Sequence, residues 1–147
     1  MNKLLLTVLF ITVLTGCVTN INESNEVIEI ANEESENNMI LSIDGNELNV
    51  TWENNISTKA LKELGELSIE MHRYGGFEQV GSIGHTLVSK DVNMSTYPGD
   101  IVLYSSNQLV IFFGTNSWSY TKLGHINLSQ NELVELLDKP NVKVTIK

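Results

Sequence analysis

Of the side chains in this 147-residue protein, three histidines, one arginine and one cysteine have the most chemistry to offer. Their spacing limits that chemistry. His72, His85 and His125 stand apart, and none pairs with another His, Glu or Cys at metal-ligand spacing. Ser, His and Asp all occur, but no G-x-S-x-G elbow presents a nucleophile. No glycine-rich phosphate loop leads into a helix, and Tyr74-Gly75-Gly76 reads as a turn. No metal and no cofactor is expected. Arg73 follows Leu67, Ile69 and Met71 at period two, so it shares their face at the end of a strand. An arginine at such a rim either meets a ligand or pairs with a carboxylate. Trp118 and Tyr120 lie in a stretch rich in Ser, Asn and Thr, where aromatic faces beside polar groups make either a ligand wall or a cover for the fold.

The elements that must hold these residues are mostly short strands. Ile40, Leu41 and Ile43 precede Asp44-Gly45-Asn46, and Leu48, Val50 and Trp52 follow at period two, which predicts a hairpin. A helix comes next, capped by Ser57 or Thr58, with Ala60, Leu61 and Leu64 on its apolar face and Gly65 at its end. Leu67 to Met71 alternates as a strand. Val80, Ile83, Leu87 and Val88 predict short strands broken by Gly81 and Gly84. Tyr97-Pro98-Gly99-Asp100 is a turn signal. The apolar runs 101–104 and 109–113 predict strands covered on both faces, joined through Ser105-Ser106-Asn107. Ser129 and Glu132 fit a capping box, and Leu133 to Leu137 continue that helix to Pro140. Val142, Val144 and Ile146 alternate in a last strand. About eight strands and two helices make the fold mainly β, and a barrel is the arrangement that removes sheet edges.

The chain opens MNKLLLTVLFITVLTGC. Lys3 precedes an uncharged run from Leu4 to Leu14, a short n-region and an h-region of secretory length. Eleven helical residues rise about 16 Å, against roughly 30 Å for a bilayer core, so the run is too short to span comfortably. Leu14-Thr15-Gly16-Cys17 resembles the lipobox of bacterial lipoproteins. That resemblance implies cleavage after residue 16, a lipid on Cys17 and acylation of the new amino terminus. More than one acyl chain is what stable anchoring needs. Residues 18–38 carry six Glu, no Lys, no Arg and no aromatic residue, the composition of an acidic disordered tether. Without Lys3 the chain holds 8 basic and 18 acidic residues, and no basic stripe suits nucleic acid. The expected organisation is a signal peptide over 1–16, a lipidated Cys17 and tether over 17–38, and one folded domain over 39–147. The expected address is extracytoplasmic, in a bacterial cell envelope, with the membrane as partner through Cys17.

Pro98-Gly99-Asp100-Ile101 running to Leu109-Val110-Ile111-Phe112-Phe113, and Ser119 to Ile126 before a capped helix and a basic last strand, resemble the small bacterial cyclophilin-like domain family. The opening hairpin and Tyr74-Gly75-Gly76-x-Glu78 join them. The resemblance implies a closed eight-stranded antiparallel barrel with two short helices over most of 39–147, and no particular activity. True cyclophilins are prolyl isomerases that set an arginine over the proline amide beside a Gln-x-Phe strand. Arg73 stands on the strand where a cyclophilin places its arginine, and Gln108 starts the matching strand, with Val110 in the place of the Phe. The likeness therefore puts any catalysis on Arg73 and Gln108. The expected ligand cleft involves Arg73, Tyr104, Gln108, Phe113, Trp118 and Tyr120, taking a peptide or small molecule. Three readings stay open: a ligand-binding module, a diverged peptidyl-prolyl isomerase acting on secreted proteins, and a structural lipoprotein docking on an envelope protein.

Overall fold

The computed structural model describes residues 39–147. The expected signal segment, Cys17 and the acidic tether lie outside the described residues. Ten strands and two helices follow in order: β1 (Leu41–Ile43), β2 (Asn46–Leu48), β3 (Val50–Trp52), α1 (Ile56–Glu63), β4 (Leu67–Tyr74), β5 (Glu78–Ser82), β6 (Val92–Thr96), β7 (Asp100–Tyr104), β8 (Gln108–Phe112), β9 (Asn116–Ile126), α2 (Gln130–Leu137) and β10 (Asn141–Ile146). Every strand pairing is antiparallel, in the order β2-β1-β10-β4-β5-β8-β7-β9-β3, with β6 paired to β9 off this path.

The sheet is mainly β and nearly closed, but not the closed eight-stranded barrel of the sequence reading. The path ends at β2 and β3, which do not pair with each other. Asn49 alone joins them, and its carbonyl accepts from the Asn127 backbone N–H at 2.9 Å. Period two across Leu48, Asn49 and Val50 hides this break, because the alternation continues through it. The strand that composition conceals is β9, whose Ser, Thr and Asn content resembles a loop. It runs for 11 residues and pairs with three partners: its first half with β6, its second half with β7 and β3. A register shift between Ile101 and Val102 leaves Leu123 of β9 as an extra residue within its pairing with β7.

Several local features follow the residue chemistry. Asp44 and Gly45 both take positive φ, 49° and 84°, the conformation a two-residue hairpin turn demands. Gly65, with φ 74°, follows the C-cap of α1. The cap at the start of α1 is Asn55, not Ser57 or Thr58. Its Oδ1 accepts from the Thr58 backbone N–H at 2.9 Å and from the Thr58 hydroxyl at 3.1 Å, while its amide donates to the Lys122 carbonyl at 2.8 Å. Ser57 and Thr58 are buried inside the first turn instead. Asn55→Ala removes a cap and a tie to β9 together, so a loss of about 1–2 kcal/mol in urea unfolding is expected. The capping box of Ser129 and Glu132 forms as its spacing indicates. Between β5 and β6 the chain is a loop rather than a run of short strands. Gly81 lies inside β5, and the loop is pinned where the Leu87 N–H donates to the Ser106 carbonyl at 2.7 Å.

The main core fills one face of the sheet. Leu41, Ile43, Ile69, Met71, Ile101, Leu103, Leu109, Ile111, Leu123, Val144 and Ile146 meet there, with Leu61 of α1 and Leu133 and Leu137 of α2. Strands β7 and β8 are buried on both faces, as their unbroken apolar runs require. Their second face carries a separate cluster: Val102, Val110, Phe112 and Tyr120, with Phe77, Val80 and Met94 against it. The β6–β9 ribbon supplies Met94 and Tyr120 to this cluster. The candidate site lies here.

Candidate functional site

Antiparallel register decides which side chains reach the second face. Tyr74 sits opposite Glu78, Glu78 opposite Phe112, Val80 opposite Val110, and Val110 opposite Val102. These residues therefore share one face of the β4-β5-β8-β7 sheet. Tyr104, two residues beyond Val102, joins them. On β9, Asn116, Trp118 and Tyr120 recur at period two. Together Tyr74, Glu78, Val80, Tyr104, Val110, Asn116, Trp118 and Tyr120 enclose a cavity of about 430 Å³, within the range of small-ligand sites.

Its walls are aromatic. Tyr120 packs edge-on against Tyr104 with ring centroids 5.9 Å apart, and against Phe112 at 5.7 Å. The Asn116 amide donates to the Tyr120 hydroxyl at 3.0 Å. Trp118 is 61% exposed and Tyr74 is also largely exposed, so the two form an open rim. Among the described residues, no Lys, Arg or His lines the cavity.

Glu78 is its one carboxyl group and is only 6% exposed. Its Oε2 is buried and makes no hydrogen bond to any described residue. Burial disfavours the charged form and pushes this carboxyl up to about 7. The Tyr120 hydroxyl is raised as well, first by burial and then by the charge of Glu78, with the Asn116 hydrogen bond pulling the other way. An acid poised near neutrality within aromatic walls can act as a carboxylate toward a cation or as a donor toward a carbonyl.

The structure brings Tyr104, Trp118 and Tyr120 together and places the other expected residues elsewhere. Phe113 turns into the main core. Gln108 lies opposite Tyr104 but outside the lining, and its amide donates to Asn107 Oδ1 at 3.2 Å. Arg73 precedes Tyr74 and so points to the other face. Its guanidinium bonds Asp138 Oδ1 at 2.6 Å, with the side chains 45% and 42% exposed. Beside it in register, Gln79 donates to the carbonyls of Leu137 and Lys139, both at 2.7 Å. The two side chains thus hold the C-terminal end of α2, where carbonyls lack helical partners and a cation is favoured. Among the histidines, His72 meets Asn141 Oδ1 at 2.7 Å and His125 meets the buried Asp100 at 2.9 Å, while His85 is exposed.

Sequence reasoning missed Tyr74, Glu78, Val80, Val110 and Asn116 as lining residues. One signal was available for Glu78. It is a charged residue on the same strand face as Val80, a position where a carboxylate needs a reason.

The fold and this cavity define a small, nearly closed antiparallel barrel domain with an aromatic-walled pocket on its second face. Residues 41–147 match the model of the Cyclophilin-like family, and the chain belongs to that family. A search of the curated proteins gives no match.

Proposed function

We propose that this protein is an extracytoplasmic lipoprotein, anchored to a bacterial envelope membrane through lipid on Cys17, whose cyclophilin-like domain binds a peptide or small molecule. The observation that supports the binding role is the cavity itself: aromatic faces from three strands around a buried carboxyl with an unpartnered oxygen. A buried polar atom left without a partner costs stability, and a ligand that supplies the partner removes that cost. The sequence around Cys17 supports the anchor. No observation favours the isomerase alternative, since Arg73 is paired with Asp138 on the other face and Gln108 lies outside the lining.

The test is a ligand-observed NMR screen of small fragments and short peptides against the full chain and its Trp118→Ala variant. Trp118 is exposed, so its removal leaves the core untouched. Binders that disappear in the variant are expected, and a screen without a Trp118-dependent binder would overturn the reading. Arg73→Ala, by contrast, removes one exposed ion pair. It is expected to cost under about 1 kcal/mol and to leave the binders in place. For the anchor, a labelled fatty acid fed to a bacterial host is expected on the wild type and absent from Cys17→Ser.

A further inference from the structure

We infer that the ligand taken by this pocket is a small organic cation, an alkylated ammonium group held between the Glu78 carboxylate and the faces of Tyr74, Tyr104 and Trp118. The inference rests on the binding reading above and names the chemical class of its ligand. Three observations carry it. The lining offers four aromatic rings, Tyr74, Tyr104, Trp118 and Tyr120, whose faces attract cations of low hydration. Among the described residues the single charged group in the lining is an acid, and none of their basic side chains lines the cavity to neutralise it. One oxygen of that acid, Oε2, is buried and has no hydrogen-bond partner among the described residues, so a positive charge entering the cavity gains a counter-ion without displacing an existing one. Two basic groups that flank lining residues in the chain are engaged elsewhere: Arg73, next to Tyr74, with Asp138, and Lys122, two residues past Tyr120, with Asp100. An alkylated ammonium suits the site better than a bare one, because the aromatic lining must be met by apolar surface and an alkylated cation is weakly hydrated.

The groups facing Glu78 are few. From β4 comes Tyr74, from β7 Tyr104 and from β9 Tyr120, while β8 presents Val110 and Phe112. His72 lies on the same face of β4, opposite Val80, and is bonded to Asn141. Glu78, whose carboxyl lies at about 7, is the acid of the lining, and the Glu78→Gln variant separates its titration from that of every other group.

The test uses choline chloride and its uncharged isostere 3,3-dimethyl-1-butanol, titrated by calorimetry into the full chain in maltoside micelles. Choline carries its charge at every pH, so any pH dependence reports the protein. Choline is expected to bind roughly tenfold more tightly than the isostere at pH 8. Its affinity is expected to fall about tenfold at pH 6, where Glu78 is mostly protonated. Glu78→Gln keeps the shape and is expected to abolish both the preference and the pH dependence, while Trp118→Ala weakens choline without abolishing the pH dependence. Equal binding of the isostere, or choline binding unchanged in Glu78→Gln, overturns the cation and points to a neutral ligand whose carbonyl takes a proton from Glu78. Failure of both probes also overturns it, and the fragment screen then separates the two readings: Trp118-dependent binders keep the pocket, and none removes it as well.

Discussion

Glu78→Gln is expected to stabilise the fold by about 2–3 kcal/mol at pH 8 and by less than about 1 kcal/mol at pH 5. In the unfolded chain this carboxyl titrates near 4.5, and in the folded protein near 7. The folded state therefore binds more protons between those two values. The sign follows: this group's contribution to stability is greatest below pH 4.5, falls as pH rises from there through 7, and is level above that. Glutamine carries no charge at any pH and removes the dependence. The gain stays below the roughly 3.4 kcal/mol that the displaced pKa implies, because the new amide is itself a buried group in search of a partner. Urea unfolding of both proteins at pH 5 and pH 8 decides the matter. Equal differences at the two pH values would mean that the carboxylate finds a counter-charge in solution. A stability cost held at one pocket residue, and relieved by a neutral isostere, is what a site kept for binding rather than for folding looks like.

The second large effect is expected at Phe112. It is the largest fully buried side chain among the described residues and the edge-on partner of Tyr120. Phe112→Ala is expected to cost about 3–5 kcal/mol, from lost transfer energy and the void left behind. The void sits under Tyr120, so the ring loses its support and the pocket its wall. Binding is expected to fall together with stability. Ile111→Ala, one residue away, opens the main core instead and is expected to cost about 2–5 kcal/mol with little change in binding at temperatures where the protein stays folded. Calorimetric titration of the two variants, each checked for folding by circular dichroism, compares the faces directly. A loss below about 1 kcal/mol at Phe112 would show that the second cluster does not share in cooperative unfolding.

What could be read locally was read by local physics. Alternation in Leu67 to Met71 and Val142 to Ile146, the Asp44-Gly45 turn, the Ser129–Glu132 capping box and the doubly buried runs of β7 and β8 each depend on residues near in sequence. Together they were enough for a mainly β barrel with two helices, and the motifs at 98–113 and 119–126 were enough for the family. The cap at Asn55 escaped because Ser57 and Thr58, two and three residues later, also carry a side-chain oxygen able to accept at a helix start. Strand β9 escaped because the Ser and Asn residues of its first half, which pairs with β6, have the composition of a loop.

The site belongs to the tertiary structure, for a reason of register. A one-residue step along a strand moves a side chain to the opposite face. Arg73 and Tyr74 are neighbours, yet one holds the end of α2 and the other the rim of the pocket. Phe112 and Phe113 divide in the same way between the two clusters. Sequence alone determined that aromatic side chains were present near polar ones, and that Tyr104, Trp118 and Tyr120 were candidates. Only the pairing of β5 with β4 and β8, and the fold of the β6–β9 ribbon beside them, brought Glu78 among those rings and shut one of its oxygens away from water.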